Sequence, residues 1–222
     1  MHRRTALALA LGAALPAAVA AAAQDRFAPV PAESPEGAAL VARLRAGGLV
    51  LFLRHADTTG EPCDRGYDLR DRTGQRNLSP AGRAQATRIG ARLEELGIPV
   101  AFPVLAGPVH RARDTAEIAF GPVRVLVTEA LLADDYARGR LDRVLADHRR
   151  LFSAPVPPGA NRVLVGHRTP AILVAGERVG GRAFPEGAAL VVEPRGGEGE
   201  FLPLGILVLA PVAGATGFHG CG

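Results

Sequence analysis

The chain contains no lysine, no tryptophan, one methionine and two cysteines among its 222 residues. All its positive charge outside histidine is arginine, spread along the chain. Aromatic residues make up 5% and are not interleaved with it, so the pattern of a nucleic-acid-binding face is missing. Abundant Ala, Gly and Pro mark the all-arginine usage as a habit of composition. There is no H-x-x-x-H and no zinc-type Cys/His spacing, so neither a metal nor another cofactor is expected. Beyond the N-terminus no apolar run is long enough to span a bilayer. No internal repeat is present.

The N-terminus reads as a targeting segment. Met1-His2-Arg3-Arg4 is a positive start, Thr5 to Leu15 is apolar, and Pro16 to Ala23 supplies small residues for cleavage. Residues 1–23 are therefore expected to be a signal peptide, with the exported chain beginning near Gln24 in the periplasm or the medium. No stable membrane anchor is expected. Losing Arg3 and Arg4 lowers the formal charge from +4 to +2. About 200 remaining residues suffice for one domain with a sizeable core. An oxidising compartment permits a Cys63–Cys221 bridge, and two unpaired thiols remain equally open.

Residues 24–37, with Pro29, Pro31, Pro35 and Gly37, read as an exposed linker. The domain is expected over 38–209 and a poorly ordered tail over 210–222. Ala38–Ala46 has helical spacing. Leu49–Leu53 is a short apolar run bounded by Gly47-Gly48, which suits a buried parallel strand. Ser79-Pro80 opens a helix that Gly97 stops. Strands near Val100–Leu105, Val123–Val127 and Val163–Val165 alternate with helices at Arg111–Phe120, Leu141–Phe152 and Pro170–Ala175. Ala188–Val192 and Phe201–Leu209 read as a closing hairpin. The pattern predicts a three-layer α/β/α sandwich around a mostly parallel central sheet.

Chemistry concentrates where strands end. The first apolar run stops at Arg54-His55, and Arg162-Val163-Leu164-Val165-Gly166-His167 repeats the design. Ligands of open α/β sheets bind at the carboxyl ends of strands. Between the two lies Arg111-Ala112-Arg113-Asp114-Thr115-Ala116 at a helix start. Two histidines and several arginines at one sheet edge suit phosphoryl transfer through histidine, with guanidinium forks matching phosphate oxygens.

These motifs resemble the histidine phosphatase superfamily, in the branch that contains phosphoglycerate mutases and small phosphohistidine phosphatases. Arg54-His55-Ala56 resembles its Arg-His-Gly signature, Asp57-Thr58 the acidic-Thr pair that follows, Arg111 to Ala116 the R-A-x-x-T-A helix start, and Gly166-His167 the late Gly-His. The agreement runs over roughly residues 47–193. It implies His55 as nucleophile, Arg54, Arg111 and Thr58 as phosphate ligands, and His167 as a second catalytic and phosphate-facing histidine. The general acid is expected in Leu132-Ala133-Asp134: Asp134 first, then Asp135, with Glu129 and Asp57 as weaker alternatives. Arg113 is expected to pair with Glu117, and His148 to lie on a polar helix face.

Departures from the family pattern carry information. Ala56 replaces Gly, Gly107 stands where many relatives have Ser, and Arg168 follows His167 where a small residue is common. The Asn of mutase-type relatives is absent from Thr59-Gly60-Glu61, which favours a phosphatase over a mutase. The expected function is metal-independent hydrolysis of a small anionic phosphate ester. Substrate selection is expected in the Thr59–Asn77 loop and the Leu131–Arg140 segment. The alternative is a catalytically silent phosphate- or phosphopeptide-binding module. Oligomeric state is left open.

Overall fold

The computed structural model describes residues 26–60, 63–179 and 184–212. The expected signal peptide and most of the expected tail lie outside this set. Seven strands, β1 (Pro29–Pro31), β2 (Val50–Arg54), β3 (Val100–Ala106), β4 (Val125–Val127), β5 (Asn161–Gly166), β6 (Ala188–Pro194) and β7 (Phe201–Val208), form one sheet in the order β1-β7-β6-β2-β5-β3-β4. Only β6 runs antiparallel to its neighbours, β2 and β7. The helices are α1 (Pro35–Ala46), α2 (Pro80–Glu95), α3 (His110–Phe120), α4 (Leu141–Ser153) and α5 (Arg168–Ala175).

Strand alternation divides the core into two layers. Leu51, Leu53, Val163 and Val165 face one side with Val41 and Leu44 of α1, Ile89 and Leu93 of α2, and Ala112 and Ala116 of α3. Val50, Phe52 and Leu164 face the other with Leu151 and Phe152 of α4 and Ala171 of α5. Helices therefore cover both faces, and the three-layer α/β/α sandwich is the observed architecture. Every residue of β2 is buried, which is why it reads as an unbroken apolar run.

Ser79 caps α2 by accepting from the Gly82 amide at 2.8 Å, with Pro80 at the first helical position. The linker expectation for 24–37 is corrected. Residues 29–31 form β1, which pairs parallel with β7, and α1 already starts at Pro35. β1 is a sheet-edge strand, where prolines that lack an N–H are tolerated. The polar-face expectation for His148 is also corrected. It is fully buried at the centre of an α4 stripe with Val144, Leu151 and Phe152, and its Nδ1–H donates to Val144 O at 2.8 Å. Ala210, expected in the tail, is buried, and its carbonyl accepts from Gln85 Nε2 at 2.9 Å.

Candidate active site

β2 and β5 lie side by side, with Arg54 opposite Gly166. The histidines that follow each strand therefore emerge together at the carboxyl edge, and their ring centroids are 5.5 Å apart. His55 N–H donates to Gly166 O at 3.0 Å, which ties the two strand ends. Arg54, His55, Arg111 and His167 are 2%, 3%, 5% and 4% exposed. Four groups expected at the site are thus brought together and almost withdrawn from water.

His55 Nδ1 lies 2.9 Å from the carbonyl oxygen of Ala56. A carbonyl only accepts, so the proton is on Nδ1 and the lone pair on Nε2. Burial, then the charges of Arg111 and Arg54, push the His55 pKa well below the ordinary 6.5. Burial and Arg111 do the same to His167. Both rings are neutral at neutral pH. Ala56 needs no glycine: Arg138 is the only non-glycine with positive φ among the described residues. The Ala56 N–H is held by Thr115 Oγ1 at 2.9 Å.

Two buried carboxylates orient the arginines. Glu186 Oε1 accepts from Arg54 Nη2 at 3.1 Å and Arg76 Nη2 at 3.2 Å, while Arg54 Nη1 donates to Phe184 O at 2.7 Å. Burial pushes the Arg54 pKa down to about 10, so it still carries its charge at neutral pH. Asp64 receives Arg111 Nη1 at 2.8 Å, the Tyr136 hydroxyl at 2.5 Å and the Arg76 amide at 2.7 Å. Burial alone would raise the Asp64 pKa, but Arg111 and Tyr136 outweigh it and hold it below 3.8. With their Nη ends fixed in this way, Arg54 Nε and Arg111 Nε are buried with no hydrogen-bond partner in the protein, as is His167 Nε2.

Asp134 is half-buried at the start of a short 3-10 turn. Burial and the neighbouring Asp135 raise its pKa above 3.8, against smaller opposing effects that include Thr169 and Arg111. Asp135 is exposed. Glu129 points to solvent and pairs with Arg140 at 2.9 Å. Asp57 accepts from the Ser79 hydroxyl at the start of α2, a structural contact. Thr58 gives both its N–H (3.0 Å) and its hydroxyl (3.1 Å) to Glu186, so it reaches the cluster through that carboxylate. Arg113 pairs with Glu117 at 2.7 Å on the surface. Gly107 sits against the site: a Cβ there would meet Leu131 O at 2.3 Å and His167 Nε2 at 3.6 Å, which leaves no room for the serine of many relatives.

Sequence reasoning missed Arg76, Glu186, Asp64 and Tyr136. Glu186 had a readable signal. It lies two residues before the first residue of β6, and an antiparallel neighbour of β2 must start where β2 ends. Cys63 has no free thiol, and Cys221 lies outside the described residues. No group of three or more His, Cys, Asp or Glu among the described residues could hold a metal ion.

Residues 50–136 match the model of the histidine phosphatase superfamily, branch 1. That stretch contains Arg54, His55, Asp64, Arg76, Arg111 and Asp134, while Glu186 and His167 fall beyond it. Solved structures similar to the chain include the protein histidine phosphatase SixA complexed with tungstate, at 20% identity and TM-score 0.49, covering 70% of this chain and 93% of that one. A native mycobacterial glucosyl-3-phosphoglycerate phosphatase matches at 20% identity and TM-score 0.44, covering 65% and 89%. A protein titled mycobacterial hydrolase 2 matches at 19% identity and TM-score 0.47, covering 75% and 93%. No curated protein matches the chain.

Proposed function

We propose that the chain is a histidine phosphatase superfamily member that hydrolyses phosphate monoesters through a phosphohistidine on His55. The observation that carries this reading is the set of buried, unpartnered nitrogens of Arg54, Arg111 and His167 around a histidine with a fixed tautomer. Three nitrogens held in place with no protein acceptor suit the equatorial oxygens of a phosphoryl group. Phosphoryl transfer needs chiefly positioning and charge stabilisation.

In the proposed reaction the His55 Nε2 lone pair attacks phosphorus in line. The bond from phosphorus to the ester oxygen breaks, and that oxygen takes its proton from Asp134, whose raised pKa suits an acid. A water then attacks the phosphohistidine and gives its proton to the Asp134 carboxylate. Phosphate leaves and neutral His55 is restored. Arg54, Arg111 and His167 bear the phosphoryl charge throughout, so no metal is invoked. Arg76 joins them through the Glu186 carboxylate it shares with Arg54.

Turnover of p-nitrophenyl phosphate tests the reading. Measurable hydrolysis that disappears in His55→Ala is expected, and binding of phosphate with no turnover would favour the silent module. We further propose that the enzyme acts outside the cytoplasm, from the basic and then apolar character of residues 1–23. Mass spectrometry of the exported protein should find a chain starting near Gln24.

A further inference from the structure

A cavity of about 370 Å³ is lined by Tyr67, Asp68, Leu69, Tyr136 and three arginines, Arg70, Arg138 and Arg140. It is built from the long loop after β2 and the segment after β4. Both leave the carboxyl edge of the sheet, the edge that carries the proposed phosphate site. Tyr136 belongs to both places. It lines the cavity, and its hydroxyl donates to Asp64, the carboxylate that holds Arg111. The cavity is thus joined to Arg111 through Tyr136 and Asp64.

The lining has two kinds of chemistry. Tyr67 packs edge-on against Tyr136 at 5.3 Å between ring centroids yet remains 38% exposed. It is a held ring with a free face. Around it the arginines differ in how they are satisfied. Arg70 is paired with Asp68 at 3.0 Å and Arg140 with Glu129 at 2.9 Å. Arg138 donates to the neutral carbonyl of Tyr67 at 3.1 Å, and its charge also acts on Asp68, which Arg70 already pairs. Its backbone has φ 45°, a left-handed conformation that costs an ordinary residue energy and gathers at functional sites. The satellite core of Val109, Leu132, Tyr136 and Val144, with Leu69 against it, fixes both walls.

We propose that this cavity is the leaving-group subsite, and that it selects phosphate monoesters whose organic part carries a flat ring and a second anionic group. The ring stacks on Tyr67 and the second anion meets Arg138. The proposal rests on the hydrolase reading above and names its substrate class.

The test measures kcat and KM of the full chain for three esters. Adenosine 3′,5′-bisphosphate has the ring and the second anion, fructose 1,6-bisphosphate has the second anion only, and glycerol 2-phosphate has neither. Wild type should favour the adenosine ester by about tenfold or more in kcat/KM over glycerol 2-phosphate, as expected of one base stacked on an aromatic ring. Arg138→Gly removes the guanidinium and suits the positive φ, so it should fold. It should raise KM about tenfold for both bisphosphates, the loss of one charged hydrogen bond. Tyr67→Leu keeps apolar cover on Tyr136 and should raise KM for the adenosine ester alone. Both variants should handle glycerol 2-phosphate as wild type does. Equal loss on all three esters, or no wild-type preference, would overturn the subsite. If no ester is hydrolysed, the hydrolase reading fails and binding decides the subsite by itself. Adenosine 3′,5′-bisphosphate must then bind more tightly than inorganic phosphate, with Arg138→Gly erasing the difference, and equal binding refutes it.

Discussion

At His55 the chemistry turns on one hydrogen bond. The Ala56 carbonyl holds the Nδ1 proton, which leaves the lone pair on Nε2, the nitrogen that attacks in the proposed reaction. The arginines nearby differ by partner rather than by type. Arg54 and Arg111 are held by buried carboxylates and keep an unpartnered Nε, whereas Arg113 is spent on Glu117 at the surface. Arg54→Ala or Arg111→Ala should each lose about three to five decades in kcat, the range for an arginine aimed at a transferring phosphoryl group, while Arg113→Ala should change little. Steady-state kinetics on one ester checks this, and a costlier loss at Arg113 would contradict it. The pH profile follows from two opposed shifts. His55 stays neutral well below pH 6.5, and Asp134 must be protonated with a pKa raised above 3.8. kcat/KM should therefore peak on the acidic side and fall as pH rises through the Asp134 pKa. Asp134→Asn should remove that falling limb and damage hydrolysis of alkyl phosphates far more than of aryl phosphates, whose leaving groups need little protonation. An unmoved limb would exclude Asp134 as the acid. Arg54, His55, Arg111 and His167 were legible because each stands at the boundary of an element: Arg54 ends β2, His55 and His167 follow β2 and β5, and Arg111 lies in the first turn of α3. Arg76 and Asp64 were not, because an aperiodic loop gives no direction to a side chain until its fold is known.

The elements that carry these residues are held by close backbone packing. α2 lies on α3 with Gly90 at the crossing, where an added Cβ would come within 2.1 Å of Ala119 O. Gly90→Ala should destabilise the protein by about 1–3 kcal/mol through overpacking, despite the better helix propensity of alanine. Chemical denaturation measures this, and a stabilised variant would show that the helices can separate freely. The long loop is tied to α3 by Arg72–Asp114 at 2.5 Å, by Asp64–Arg111 at 2.8 Å and by Gln75 Oε1, which accepts from the His110 amide at 3.0 Å. Element positions were largely readable from period, caps and turn residues, as for Ser79-Pro80. β1 was not, because a three-residue strand with two prolines looks like a linker until its edge position beside β7 is known. His148 was misplaced for a related reason: a titratable side chain reads as polar, yet its helix position, four after Val144 and four before Phe152, put it inside.

For the whole molecule, the buried histidines make stability depend on pH. His55, His148 and His167 all have folded pKa values below 6.5. Between those values and 6.5 the unfolded chain binds protons that the folded chain does not, so stability must fall as pH drops below about 6.5. Asp64, with its lowered pKa, adds a loss of the same sign at lower pH, and Asp134, with its raised one, opposes it. Thermal unfolding between pH 8 and pH 5 should show a declining Tm, with a shallower slope in His148→Gln. Activity should survive chelation, and vanadate should inhibit by resembling pentacoordinate phosphorus. Full loss in EDTA, restored by a divalent ion, would contradict an all-protein phosphate site. The most direct test of the account is to quench turnover of a labelled phosphate ester with alkali and locate the label by peptide mass spectrometry. The account predicts an acid-labile, alkali-stable phosphoryl group on His55 in wild type and none in His55→Ala. Turnover with no phosphohistidine, or with the label on another residue, would contradict it.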